Sequence, residues 1–442
     1  MKTLVTPEEA LHLILQKVTP LSSETIPHRD ALGRTLARDI VSPLQLPPFD
    51  NSAMDGYALL ARDIQSATRE NPVELQCLEV VGAGEGAQRE VSTGNCIKIM
   101  TGAPIPRGAD AVLMREDTRQ FTKNESGDQS GDVHSSFFVE ILASAREGEN
   151  IRRAGSDVAL GEVVLREGTL IGAAQWAMLA SLGIAEVAVF RRPRVGIIAT
   201  GIELVDVNAP LTGSQIRDSN SYALRALALG CGCEIGAVRG SGDSFAEFET
   251  ALREVAANCD VVISSGGVSA GDFDPVRDVL REKAEVFFWK IAMKPGKPVM
   301  FAAFEGKLVF GLPGNPVSVM VAFEEFARPA LLKMGGRRAL RRQIVAARLN
   351  RDFSSPAGKV EYIRAAIRLQ NGEWQTQFPA DQSSGRLSTM TGANALLVVE
   401  AEKTRVGAGE TLPAKLIDCP EIEGPERDFP TTDDSTTDDS KT

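Results

Sequence analysis

Short apolar runs and amphipathic stretches alternate regularly from residue 194 onward. The runs at 194–199, 233–238, 261–264, 286–291, 299–303 and 308–312 are rich in β-branched residues and too short for helices, which predicts strands. Between the first four, residues 221–229, 244–257 and 275–283 carry apolar positions at helical spacing. A parallel pair of strands needs a crossover long enough to hold a helix, so this series predicts an α/β domain with a mostly parallel central sheet. A further helix is expected from residue 317 to about 332.

The rest of the chain reads differently. Thr6-Pro7-Glu8-Glu9 ahead of Leu11, Ile14, Leu15 and Val18 is a capping box opening a helix that ends near Pro20. Runs at 73–81, 95–100, 111–114 and 137–141, separated by Gly and Pro, predict a compact β domain. Residues 122–136 are polar and Gly/Ser-rich, the composition of an exposed hairpin tip. A helix is expected over 171–182, stopped by Gly183. Short alternating runs at 345–349, 360–367 and 395–399 predict a terminal β domain, and beyond Pro420 the Thr/Ser/Asp composition predicts a disordered tail.

Charge narrows the function class. Residues 421–442 hold eight acidic and two basic side chains, so −6 of the net −11 sits in the tail and the remainder lacks the basic footprint of a nucleic-acid binder. Six scattered cysteines without a CxxC pair, and only three histidines, argue against a zinc site or a disulfide framework; Cys231-Gly232-Cys233 reads as small buried residues at the start of a strand. There is neither an N-terminal apolar h-region nor a run of about 18 apolar residues, and a cytoplasmic location is expected.

The candidate chemistry gathers where the predicted strands end. Asp260-Val261-Val262-Ile263-Ser264 is broken by Ser265-Gly266-Gly267, after which come Asp272 and Asp274. Pro275 suits the first position of a helix with Asp274 as its cap, so free N–H groups would face an anion while a carboxylate holds a cation beside it. Thr200-Gly201-Ile202-Glu203 follows the first strand, Ser241-Gly242-Asp243 the second, and Leu312-Pro313-Gly314-Asn315-Pro316 a later one. Lys290, Lys294 and Lys297 crowd the end of another and are expected to share a rim with the glycine loop. Singly, each has a plainer reading: glycines permit a bend, and a lysine run, like the adjacent Arg152 and Arg153, can be a solvated face. Their convergence at the carboxyl ends of strands, where open α/β sheets bind ligands, favours a phosphate site with its cation. Upstream, the polar loops 48–58 and 99–110, the latter with Thr101 as a possible donor, read as a binding surface or as turn chemistry alone.

Several long motifs, in order, resemble the molybdopterin molybdenumtransferase family, relatives of the gephyrin E domain: PPFDNSAMDGYA, IMTGAPIPRGADAV, ENIRRAGSD, ATGIEL, IRDSNSYAL, SSGGVSAGDFD, KIAMKPGKP and GLPGNPVS. The resemblance spans about residues 5 to 418 and leaves out the 122–136 insertion and the tail. It implies an elongated subunit with an α/β domain (1–26 and 192–336), a linking domain (27–46 and 148–191), a small β domain (47–147) and a terminal β domain (337–418), ahead of the 419–442 tail. It further implies a homodimer and insertion of molybdenum from molybdate into adenylylated molybdopterin, with Mg²⁺ and release of AMP.

Carried over by motif, Asp55, Thr101, Asp243, Asp274, Lys290 and Lys294 are the expected catalytic residues, with Asp243 and Asp274 on the metal. Glu203, Gly266, Gly267, Ser269, Lys297, Pro313, Arg364 and Ser384 are expected to bind substrate, the last domain's Arg364 and Ser384 near molybdate. Two stretches depart from the family pattern: Lys359 stands where relatives often carry Arg, and the residues around Asp243 differ. The rival activities are adenylyl transfer to molybdopterin, the preceding step, and a non-catalytic scaffold of the same fold.

Overall fold

The computed structural model describes residues 2–121, 137–269 and 274–418. Asp272, the 122–136 insertion and the acidic tail lie outside the described residues. The chain divides into two compact units, one of Met1–Arg38, Glu167–Ala177 and Ala185–Thr442, the other of Asp39–Arg166 and Met178–Ile184.

The first unit is built on a six-stranded sheet. Its strands are β1 (Arg194–Thr200), β2 (Glu234–Ser241), β3 (Val261–Ser265), β4 (Glu285–Trp289), β5 (Met300–Phe304) and β6 (Lys307–Leu312), ordered β2-β1-β3-β6-β5-β4. The pairs β2/β1, β1/β3 and β3/β6 are parallel, while β6/β5 and β5/β4 are antiparallel, so the sheet is mixed. The antiparallel part has a local cause. Glu305 and Gly306 sit at φ 48° and 77°, the left-handed pair of a two-residue hairpin turn, and such a turn can only reverse the chain. β1 and β3 are buried along nearly their whole length, as central strands covered on both faces must be.

Helices cover the two faces. Asn220–Gly230 (α1) buries Leu224 and Ala228 in the same cluster as Ile197 and Ile263, whereas Phe245–Asn258 (α2) and Pro275–Lys283 (α3) bury Phe248, Leu252, Val276 and Leu280 against Ile198 and Val262. Alternate residues of one strand thus face opposite helical layers. Pro316–Ala322 (α4) runs through a π turn at Phe323–Ala327 into Arg328–Met334, close to the 317–332 expected. The N-terminal helix Pro7–Lys17 carries both halves of its capping box: Thr6 Oγ1 accepts from Glu9 N at 3.2 Å and Glu9 Oε2 from Thr6 N at 2.9 Å.

Five strands of the same unit close into a barrel: β7 (Ile344–Arg348), β8 (Val360–Gln370), β9 (Glu373–Gln377), β10 (Ala395–Val399) and β11 (Thr411–Leu416). Pairings run β8/β9, β9/β7, β7/β11, β11/β10 and β10/β8, which leaves no free edge in the ring. Met293–Lys294 of the lysine loop adds to β8 as a short parallel strand.

The second unit holds another six-stranded sheet, ordered Ala111–Met114, Gly56–Leu59, Asn95–Ile99, Val73–Val81, Phe137–Ile141, Thr118–Phe121. Its two apolar clusters lie around Tyr57, Leu75 and Val139 and around Ala58, Ile97 and Val112.

Candidate functional site

The chain leaves β1 to form β2 on one side and then crosses to place β3 on the other. Loops at such a reversal part and open a crevice at the carboxyl ends of the strands. Here that crevice is an open cleft of about 670 Å³, walled by Thr200, Gly201 and Glu203 after β1, by Ser265 to Ser269 after β3, and by Pro313 to Pro316 after β6. Asp218, Asn220 and Asp243 complete the rim.

Glycine makes this wall possible. Gly266 holds φ +95°, and a Cβ there would lie 2.5 Å from Thr200 Oγ1; at Gly267, φ +64°, it would lie 2.9 Å from Val276 Cγ2. Gly314 approaches less tightly from the other side: a Cβ on it would stand 3.5 Å from Gly266 Cα, an ordinary van der Waals contact. The two loops therefore meet backbone to backbone.

Side chains outside the expected set fix the loops. Asn220, at the start of α1, donates from Nδ2 to Ser265 Oγ and to Gly314 O, both at 2.7 Å. The Gly314 carbonyl can only accept, which settles the orientation of the amide; Oδ1 is then buried without a partner. Thr200 Oγ1 donates to Ser265 O at 3.1 Å. The far end of the glycine loop is held by Trp289 Nε1 on Val268 O at 3.0 Å and by Arg277 on Ser269 O at 3.3 Å. Asn220 lay legible within the IRDSNSYAL motif; nothing in local sequence singles out Arg277 or Trp289.

Glu203, Asp243, Gly266, Gly267, Ser269 and Pro313 all line the cleft. Asp274 does not. It occupies the N-cap position of α3, but its side chain makes no capping bond, contrary to the expectation, and is directed instead toward Arg277 at 3.7 Å. Its Oδ2, the oxygen facing Arg277, is buried with no hydrogen-bond partner, so this long ion pair offsets only part of the roughly 1–3 kcal/mol that such burial costs.

The lysines are not in the lining, and Pro298 alone brings their loop to the cleft. Lys294 pairs with the buried Glu361 of the barrel at 2.9 Å, because a desolvated carboxylate requires a counter-charge. Lys290 lies 3.8 Å over the Trp289 ring, and Lys297 is exposed. The shared rim expected from the sequence is therefore limited to Pro298: cross-strand pairing draws Lys294 toward the barrel.

Arg364 is wholly buried. Its guanidinium donates to Thr389 Oγ1, Gln382 O and Ser383 O at 2.9–3.1 Å, and burial pulls its pKa down to about 10. It acts on the loop above it: Ser384 Oγ accepts from Asn315 Nδ2 at 2.9 Å, Ser384 O accepts from Val317 N, and Gly385 reaches the cleft.

Asp55 and Thr101 belong to the second unit and pair with each other. Asp55 Oδ1 accepts from Thr101 N at 2.8 Å and from Thr101 Oγ1 at 2.7 Å, and these two bonds, the backbone one first, hold the carboxyl below its usual range. Nearby in sequence, Asp50 takes Arg153 at 2.7 Å and Ala154 N at 2.8 Å, so Arg153 is a loop tie while Arg152 is exposed.

Three family profiles cover this chain: "MoeA N-terminal region (domain I and II)" at residues 5–183, "Probable molybdopterin binding domain" at 196–333, and "MoeA C-terminal region (domain IV)" at 346–417. The chain is 37% identical over 415 residues to the molybdopterin molybdenumtransferase of Haemophilus influenzae, covering 92% of this chain and 98% of that one. It is 38% identical over 394 residues to molybdopterin molybdenumtransferase 2 of Mycobacterium tuberculosis, covering 88% and 93%. A crystal structure of the molybdopterin biosynthesis moeA protein from Pyrococcus horikoshii OT3 superposes with a TM-score of 0.78 at 35% identity, over 94% of this chain and all of the other. With full-length relatives at this identity, three matching family profiles and the same fold, the chain belongs to the MoeA family of molybdopterin molybdenumtransferases.

Proposed function

We infer that this protein is a molybdopterin molybdenumtransferase, which inserts molybdenum from molybdate into adenylylated molybdopterin with release of AMP. The observation that carries the reading is the glycine-built cleft at the β1/β3 reversal, inside the stretch matched by the molybdopterin-binding profile. Backbone N–H groups brought forward where no Cβ intervenes can hold phosphate oxygens, and Glu203, Asp218 and Asp243 give the rim the carboxylates a bridging cation uses.

Mg²⁺ fits the residues present. Asp274 offers a buried carboxylate oxygen that makes no hydrogen bond and lies 3.7 Å from Arg277, and among the described residues no three His, Cys, Asp or Glu side chains gather into an all-protein cage. That suits a cation held by one or two carboxylates, water and substrate phosphates. Asp243 and Asp274 would hold it, and the ion would neutralise the phosphate oxygens as charge moves to the leaving group. Gly266, Gly267 and Ser269 would orient the phosphates, and Lys290, Lys294 and Lys297 would add positive charge beside them once substrate competes with Glu361 for Lys294. No His, Cys or Lys side chain lines the cleft, and the attacking oxygen would come from molybdate or water.

We further propose the four-domain division given above, and a homodimer in which Asp55 and Thr101 of one subunit complete the cleft of the other; the family resemblance supports both. A cytoplasmic location accords with this biosynthetic role, and no described helix is long and apolar enough to cross a membrane.

The test is to supply adenylylated molybdopterin, molybdate and Mg²⁺ and to measure AMP and mature cofactor together. Both should form, and Asp274→Asn should abolish them with the fold retained. AMP release indifferent to Mg²⁺ and molybdate sinks the reading, and ATP-dependent adenylylation of molybdopterin would move the protein one step earlier.

A further inference from the structure

A buried carboxylate outside the expected set touches one of the expected catalytic residues. Glu361, on β8, has its side chain 2% exposed and lies 2.9 Å from the Lys294 ammonium, whose own side chain is 47% exposed. Ser355 Oγ donates to its other oxygen at 2.7 Å. Among the described residues, Lys294 and Ser355 are the only hydrogen-bonded or ionic partners of this carboxylate. β8 also grips the main chain of the lysine loop: Val360 N donates to Ala292 O at 3.0 Å, and Met293 and Lys294 pair with Val360 and Glu361 as parallel strands.

The two halves of the ion pair are not equally committed. Glu361 is fixed by burial and by Ser355, and an ionised carboxylate so placed must keep a counter-charge or bear its desolvation alone. Lys294 is half in water, on a flexible four-carbon stem. It stands four residues before Pro298, which lines the cleft, so at most about 14 Å of chain lies between them. A lysine that moves to an anion in the cleft therefore leaves behind a carboxylate that cannot follow. How firmly the carboxylate holds it, and how far Ser355 satisfies the carboxylate afterwards, set what the anion must supply.

We propose that Glu361 is a positioning residue that competes with the anionic substrate for Lys294, and that Ser355 tunes the competition by hydrogen-bonding the carboxylate the lysine leaves. On the molybdenumtransferase reading, on which this inference rests for the identity of the anion, the competitor is molybdate or the substrate phosphates. The restraint on Lys294 needs only the ion pair.

Two measurements on the full-length protein test the proposal. Labelling of lysines by trinitrobenzenesulfonate, read by mass spectrometry, follows the release of Lys294, because an ammonium held by a carboxylate is withheld from the reagent. Lys294 should react about tenfold faster in Glu361→Gln, which keeps the shape of the side chain without its charge, and about threefold slower in Ser355→Ala, where the carboxylate has only the lysine left. Isothermal titration with molybdate and with inorganic pyrophosphate, at fixed ionic strength, should give about tenfold tighter binding in Glu361→Gln and about threefold weaker binding in Ser355→Ala. The anion that responds is the one Lys294 serves. A loss of structure would weaken binding in both variants, and Ser355→Ala changes no charge, so its shift cannot come from the field of Glu361 on the anion or on Arg364. Lys294 labelling equal in the three proteins, or binding that is unshifted or shifted in one direction by both variants, overturns the proposal. Labelling that changes as expected while none of the proteins binds either anion leaves the restraint standing and overturns the molybdenumtransferase reading. Should Glu361→Gln fail to fold, the two Ser355→Ala shifts decide it.

Discussion

Replacing Asn220 by Asp and by Ala should separate two ways in which the cleft can be held. Asn220 Nδ2 bonds Ser265 Oγ and Gly314 O, each at 2.7 Å, and Oδ1 is buried without a partner. In Asn220→Asp the Ser265 hydroxyl can turn and donate, but the Gly314 carbonyl then faces another acceptor at the same distance. One lost bond and an acceptor held against the carbonyl of the exposed Gly314 amount to roughly 1–2 kcal/mol against the present loop arrangement, before the added charge is counted. Asn220→Ala loses both bonds but removes the orphaned Oδ1, whose burial costs about 1–3 kcal/mol, and opens the carbonyl of the exposed Gly314 to water, so the net effect is roughly 0–2 kcal/mol. If these loops must be in place for reaction, kcat/KM for AMP release falls about 30-fold or more in the Asp variant, the added charge included, and less than about tenfold in the Ala variant. Urea denaturation of both variants checks that the fold survives. An Ala variant as impaired as the Asp variant, or worse, refutes the argument, because the amide's donor geometry would then not be what joins the loops.

Three further outcomes follow from the same geometry. Gly266→Ala adds a Cβ 2.5 Å from Thr200 Oγ1 at φ +95°; about 1–3 kcal/mol of backbone strain should displace the loop and lower kcat/KM about 100-fold, with an unchanged circular dichroism spectrum, and wild-type kinetics would detach the loop from the substrate. Arg364→Lys keeps the charge but not the three-way fork, so stability in urea should drop by roughly 2–4 kcal/mol, and the Val317 amide, bonded to Ser384 O, should lose protection from hydrogen exchange. Asp55 has its folded pKa depressed below 3.8, so the stabilisation it gives is complete above that pH and lost as pH falls through the lower folded value. Hydrogen exchange at the Thr101 amide should speed up over that interval, and Asp55→Asn should remove the pH dependence.

Much of this architecture is legible because it rests on local rules. The capping box at Thr6 and Glu9, the helix after Pro275 and the apolar strands 194–200 and 261–265 all follow from periodicity and end signals. The Glu305-Gly306 reversal was equally local, but its flanking apolar runs continue the α/β rhythm and conceal the change to antiparallel pairing. The β8/β9 hairpin turns locally at Asn371-Gly372, but barrel closure depends on β7 pairing with β11 far later in the chain, which no window of residues encodes. Within the site, the glycines and strand-end carboxylates are readable as residue types. Which lysine is already committed is not, since Lys294 is drawn to Glu361 by a register set between separate elements.

The meeting of Gly266 and Gly314 has a consequence for how this cleft can change over time. Gly266 and Gly267 cannot take a side chain without displacing Thr200 or Val276, so neither drift nor selection for resistance can retune that part of the wall by conservative replacement. A compound anchored on those amides would meet the same surface in any variant that keeps the two loops folded. Adaptation to a different ligand can act through replaceable side chains such as Glu203, Asp218, Asp243, Ser269 and Asn315, around the fixed Gly266-Gly267 turn.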